Sequence, residues 1–186
     1  MQPFKLMAAI KAQQPIVGYT PQVDRILVML GLVDTPADAA FDKFTRLVVC
    51  SLHVPVSIVS IVDEGRDRQF LKSQIGLKGH VAEERSTPLS QSFCQFVKRD
   101  NRPLIIEHAP DDARVCDHLA VRDLSVKSYL GVPIHGPDGQ ALGALAAIHS
   151  ERRHWQEGEI DLMIDLASCV TDQIKLRYSL IQMTIF

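Results

Sequence analysis

The sequence predicts an α+β fold, with a partly antiparallel sheet and helices at both ends of the chain. Three observations carry this. Strand-like runs follow one another over residues 54–75 and 103–149, rather than alternating singly with helices. Two connections between them read as hairpin turns, at Asp63-Glu64-Gly65 and Pro137-Asp138-Gly139. The flanking stretches repeat apolar residues at helical spacing instead.

Taken in order, Val23, Ile26, Leu27 and Leu30 define a first helix that Gly31 ends. Asp34-Thr35-Pro36 predicts the start of a second, with Phe41, Phe44, Val48 and Leu52 on one face. Residues 54–62 (VPVSIVSIV) are rich in β-branched side chains and apolar on both faces, as in a strand covered on both sides. Residues 68–75 predict a return strand of edge character, and residues 76–88 a loop. A short helix is expected over 90–98, with Phe93, Cys94 and Val97 inward, and a short strand over 103–107. Residues 109–123 read as irregular or loosely helical. Strands over 127–135 and 140–149 flank the second hairpin turn, and small residues on the latter allow close approach of a helix or ligand. One long helix then runs from Trp155 to about Leu180.

The composition narrows the function classes. The chain has 186 residues, 46% of them hydrophobic, and a formal net charge of -2. That fits one domain with extensions and supplies a core, so disorder is disfavoured. Near-neutral charge argues against nucleic-acid binding driven by bulk electrostatics. Apolar runs such as residues 144–148 fall far short of the roughly 20 residues a membrane span needs. Residues 1–20 read as an N-terminal arm, because the apolar stretch 6–10 is too short for a signal peptide. The expected location is therefore cytoplasmic, with Cys50, Cys94, Cys116 and Cys169 as free thiols. No C-x-x-C pair or H-x-x-x-H spacing suggests a metal, and no Gly-rich phosphate loop or G-x-S-x-G elbow occurs.

Residues 33–49 (VDTPADAAFDKFTRLVV), 90–97 (SQSFCQFV), 103–121 (PLIIEHAPDDARVCDHLAV) and 129–148 (YLGVPIHGPDGQALGALAAI) occur in a recognisable order. With residues 54–77, they resemble a GAF domain of the bacterial sensory type over about residues 32–176. The resemblance implies a central antiparallel sheet of five to six strands, terminal helices on one face and a loop-covered pocket on the other. It implies small-molecule binding or dimerisation within a signalling protein. Residues 21–176 would form the GAF-like domain, and residues 177–186 a helical extension.

Within that fold, loop and strand placement nominates Phe70, Phe93, Cys94, Arg114, Cys116, His118 and Tyr129 as ligand-binding residues. Cys94 is either a packed core thiol or a thiol activated by a helix start at Ser90. Cys116-Asp117-His118 departs from a bilin attachment site, where His directly follows Cys. Free methionine sulfoxide reductases are also lone GAF domains. On that resemblance Cys94 and Cys116 would be nucleophile and resolving thiol, although residues 76–93 lack the family's third cysteine. Asp111, Asp112 and Arg114 read as a pairing that fixes a surface loop.

The last helix carries two apolar stripes. Ile160, Met163, Ala167, Val170, Ile174 and Ile181 form one; Leu162, Leu166, Cys169, Leu176 and Leu180 form the other, interrupted by Gln173. One stripe suffices for a surface helix, so the second predicts a homodimer through terminal helices, or cover from the N-terminal hairpin. The leading expectation is a non-enzymatic sensory module for an unnamed small molecule, with no cofactor assigned. Its output would be a histidine kinase or cyclase. The alternatives are the thiol enzyme and a structural dimerisation module without ligand.

Overall fold

A computed structural model describes residues 21–185. The arm expected over residues 1–20 lies outside the described residues. The helices are α1 (Pro21–Met29), α2 (Ala39–Leu52), α3 (Gly79–Glu84), α4 (Cys94–Asp100), α5 (Leu119–Leu124) and α6 (Glu157–Ile185). The strands are β1 (Val56–Asp63), β2 (Arg68–Ile75), β3 (Ser86–Pro88), β4 (Leu104–Ile106), β5 (Ser128–His135) and β6 (Ala141–His149). They form one six-stranded sheet in the order β3-β2-β1-β6-β5-β4. Every neighbouring pair is antiparallel.

The period-two alternation of the strands splits the core into two layers. On one face Val59, Ile61, Leu130, Val132 and Leu145 pack with Phe41, Val48, Met163, Val170 and Ile174 of α2 and α6. On the other, Ile58, Tyr129, Ala144 and Ala146 meet Phe93, Cys94 and Val97 at α4. Ala144 and Ala146 are fully buried beneath that helix, so the small residues of β6 allow its close approach. Gly76 is needed where the chain leaves β2. Its φ is +87°, and a Cβ there would sit 1.9 Å from the Pro55 carbonyl oxygen.

The fold departs from expectation at several points, each with a local cause. The second helix starts at Asp38, whose carboxylate accepts from Ala40 N at 3.1 Å, rather than at Asp34. Asp34 is held instead by Arg68, which donates to both its oxygens at 2.8 Å. β2 is interior, because β3 forms within the expected loop and pairs with Arg68, Gln69 and Phe70. That loop also contains α3. The helix expected from Ser90 begins later: Leu89–Gln91 is a separate 3-10 turn, and Phe93 precedes the first residue of α4. The stretch 109–123 resolves into a turn at Ala109–Asp111 and α5. The last helix starts at Glu157 and runs to Ile185. Trp155 lies before it, buried, its indole N–H donating to Ile106 O at 3.1 Å.

A β-bulge in β2 sets the connection between the sheet and the terminal helices. Val59 pairs with Ser73 and Ser60 with Leu71, which leaves Lys72 as the extra residue. Lys72 and Ser73 consequently both reach the helical face. Ser73 Oγ donates to Asp42 Oδ1 at 2.6 Å. Lys72, only 1% exposed, donates to Gly31 O at 2.7 Å and Thr35 Oγ1 at 2.8 Å, and lies 3.3 Å from Asp38 Oδ2. Burial lowers the Lys72 pKa, with Asp38 opposing the shift. Arg177 of α6 completes the group, 2.5 Å from the same Asp38 oxygen.

Lys72→Met keeps the aliphatic stem and removes the buried donor. It should lower unfolding stability by about 3 kcal/mol in urea titrations, because Gly31 O and Thr35 Oγ1 lose a partner and Asp38 loses a counter-charge. A change within about 0.5 kcal/mol, the usual range for surface substitutions, would contradict this role.

Candidate functional site

The sheet face opposite the terminal helices carries a cavity of about 550 Å3. β1 and β5 supply its floor through Ile58 and Tyr129. The segment from Gly76 through α3 covers one side with Leu77 and Val81, and α5 covers another with Ala120 and Leu124. Between them, Phe93 and Cys94 at the start of α4 form a third wall.

Tyr129 is the centrepiece of the floor. Its ring lies across Gly131 of the same strand, where a Cβ would come within 2.2 Å of the Tyr129 hydroxyl. The hydroxyl meets Cys94 Sγ at 3.2 Å. Phe93 packs edge-on to the ring, centroids 5.4 Å apart. Burial pushes the Tyr129 hydroxyl well above its ordinary pKa of 10.0. Burial also raises the Cys94 thiol, although its hydrogen bond with Tyr129 opposes the shift. Cys94 is thus a packed thiol that burial holds toward its neutral form, although α4 starts at Cys94 itself rather than at Ser90.

Three of the seven nominated residues, Phe93, Cys94 and Tyr129, line this cavity. The other four sit elsewhere. Phe70 points to the helical face, between the Arg68 and Arg85 guanidinium groups at 5.6 and 5.2 Å from its ring centre. Arg114 is bound to Asp112 and donates to Ile105 O at 2.9 Å, beside the edge strand β4. Cys116 is exposed, and all four cysteines are free. His118 lies behind the wall, its ring centre 4.9 Å from Phe93 and 5.3 Å from Phe96. Its Nδ1 accepts from Ala120 N at 3.2 Å, so the imidazole caps α5. Among the described residues no cluster of three or more His, Cys, Asp or Glu side chains is placed to hold a metal.

The sequence reading passed over the polar wall. Gln69 and Thr87 come from β2 and β3, and Ser92 precedes α4; all three are buried and line the cavity. Gln69 Nε2 donates to Thr87 Oγ1 at 3.4 Å, and Ser92 Oγ donates to Gln69 Oε1. Ser92 lies inside the quoted SQSFCQFV stretch. Gln69 could be found only by pairing β2 with β1 in register, where it opposes Val62.

A family model described as GAF domain matches residues 17–174. The chain belongs to the GAF domain family. A cyclic di-GMP phosphodiesterase of Pseudomonas aeruginosa is 29% identical over 125 residues, which are 67% of this chain and 20% of that protein. A diguanylate cyclase of Escherichia coli is 31% identical over 94 residues, 50% of this chain and 27% of that protein. The matched stretches therefore span only 20% and 27% of these relatives' lengths. The solved free methionine-R-sulfoxide reductase of Neisseria meningitidis superposes with a TM-score of 0.61 at 15% identity, covering 87% of this chain and 95% of that one. That likeness is one of fold. No helix among the described residues is long and apolar enough to cross a membrane.

The cap of α5 predicts a pH response. Burial lowers the His118 pKa from 6.5, so folding favours the neutral ring that accepts from Ala120 N. The unfolded chain then binds the proton more readily, and this contribution to stability is complete above pH 6.5 and falls as pH drops below it. His118→Ala should cost about 1 kcal/mol at neutral pH, the usual value of a cap. It should also flatten the decline of the melting temperature between pH 7.5 and 5. Parallel curves for the two proteins would remove His118 as a titrating cap.

Proposed function

We propose that this GAF domain is a non-enzymatic sensory module that binds a small molecule in the cavity and transmits occupancy to α6. Arg85 is the observation that carries this reading. It ends α3, the helix whose Val81 lines the cavity, in a left-handed conformation at φ +51°. Its guanidinium donates to Leu71 O at 3.1 Å, Lys72 O at 2.6 Å and Thr35 O at 2.8 Å. One side chain thus joins the cavity cover to the bulge and to the α1–α2 connection. From there Lys72 leads to Asp38 and Asp38 to Arg177 on α6. A ligand with different affinity for two positions of α3 would bias the positions of both ends of this chain of contacts.

Along one flank of α6, Leu162, Leu166, Cys169, Gln173, Leu176, Leu180 and Met183 recur in strict four-three alternation; Leu162 and Leu166 pack partly against the core, and the stripe opens toward its C-terminal end. Leu176, Leu180 and Met183 are 53%, 52% and 68% exposed. That repeat suits a second copy in a coiled coil, and Gln173 at one of its seam positions suits a parallel pair in which the two amides meet. The two curated relatives are named for cyclic di-GMP phosphodiesterase and diguanylate cyclase activity. An output of that kind, or a kinase, fits a module that senses without doing chemistry, in a cytoplasmic setting.

Replacing Leu176 and Leu180 together by Glu should convert a dimer to a monomer in sedimentation at micromolar concentration. Arg85→Gln should speed amide exchange in residues 32–38 as well as in α3. Dimers that survive the first change, or unaltered exchange at 32–38 in the second, count against the reading.

A thiol enzyme is the competing reading, favoured only by the fold it shares with the reductase. The buried, neutral Cys94 and the exposed Cys116, which does not line the cavity, weigh against it. Thioredoxin-coupled reduction of free methionine sulfoxide should not exceed that of the Cys94→Ser, Cys116→Ser double variant. Turnover that disappears in Cys116→Ser would establish the enzyme instead.

A further inference from the structure

We infer that the cavity takes an uncharged, largely apolar small molecule bearing one hydroxyl, carbonyl or amide group, rather than a phosphate or carboxylate. The inference rests on the sensory reading and specifies its ligand class. Ile58, Val81, Phe93, Val126, Tyr129 and Ile148 make most of the wall apolar. A volume of about 550 Å3 suits a compact organic molecule.

The polar side offers a neutral pair of groups. Gln69 is occupied at both ends of its amide, by Thr87 and Ser92. Thr87 accepts from Gln69 and keeps its hydroxyl hydrogen to donate. Ser92 donates to Gln69 and keeps lone pairs to accept. One ligand hydroxyl or primary amide can satisfy both at once, and a carbonyl can satisfy Thr87.

Charge is excluded by the same wall. The lining residues that can carry positive charge are Lys78, which is exposed at the mouth, and His149, whose Nδ1 already accepts from Glu151 N at 3.1 Å. Gln69, Thr87 and Ser92 are 6%, 4% and 1% exposed, and no guanidinium or ammonium group lines the wall beside them. An anion seated there would lose its hydration without gaining a counter-charge. Arg85 and Arg177 are engaged on the helical face and Arg114 by Asp112, and none of the three lines the cavity.

The test is fluorine NMR on the full chain with a fluorinated fragment library. The library pairs neutral alcohols, amides and ketones with carboxylate and phosphate counterparts of the same skeleton. Neutral members should bind at least tenfold more tightly than their anionic partners. Thr87→Val and Ser92→Ala should each weaken them about tenfold, while Ile148→Phe, which narrows the cavity from a half-exposed position, should abolish binding. Amide spectra confirm that each variant folds. Anionic members that bind as well as their neutral partners, with loss in Ile148→Phe, overturn the ligand class and leave the sensory reading standing. Absence of binding by every member overturns both.

Discussion

A lysine ammonium group buried between the sheet and its helices governs much of this structure. Lys72 is there because β2 carries one residue more than β1 across Val59 and Ser60. Placing a cation in that layer demands acceptors and a counter-charge. The chain supplies them from one short segment more than thirty residues earlier in sequence: Gly31 O, Thr35 Oγ1 and Asp38. Residues 31–38 are thereby held out of helical geometry, and α2 begins at Asp38. Asp38 itself is partly buried, which would raise its carboxyl pKa, but Arg177, the Ala40 N–H and Lys72 hold it below the ordinary value. Lys72 and Arg177 both meet the Asp38 carboxylate, and Arg85 adds a third cation close enough to Lys72 to act on it. Arg177 and Arg85 both lower the Lys72 pKa further. An arrangement with excess positive charge is sensitive to small displacements of any member, and Arg85 is the member attached to the cavity cover.

The two faces of the sheet divide the work. The helical face concentrates charge and joins α2 to α6. The cavity face concentrates apolar surface, and burial there holds Cys94 and Tyr129 toward their neutral forms. Arg85 connects the two, with its backbone in α3 and its guanidinium on the bulge. On the proposed sensory reading, one side would register the shape and hydrogen bonding of a ligand. The other side carries the long helix α6, whose C-terminal stripe would meet a second copy.

Much of the fold was legible in the sequence, because it depends on local periodicity. The alternation of 127–135 and 140–149, the turn at Pro137–Gly139 and the three-four repeat of α6 all stand where the pattern puts them. The motif order over residues 33–148 identified the family, and the family match over residues 17–174 agrees. What was not legible depends on contacts distant in sequence. The helix start moved from Asp34 to Asp38 because Arg68 engages Asp34 and Lys72 engages the intervening residues. β2 became interior because the three residues of β3 pair with it, a strand too short to show a period. Phe93, Cys94 and Tyr129, nominated from the motifs, line the cavity. Phe70 was placed on the wrong face for the cavity, since the alternation from Val62 across the turn to Gln69 sends it to the helices. Gln69, Thr87 and Ser92 were missed because uncharged polar residues carry no signal until register brings them together.

On the proposed reading, the cavity cover and α6 are energetically joined through the Lys72–Asp38 pair. A double-mutant cycle between Arg85→Gln and Arg177→Gln measures this directly by urea unfolding. No hydrogen bond or ion pair links the two guanidinium groups, so independent action would leave their effects additive within about 0.5 kcal/mol. The account predicts a coupling of about 1 kcal/mol or more, abolished when the cycle is repeated in Asp38→Asn. Additivity in the Asp38 background would contradict it.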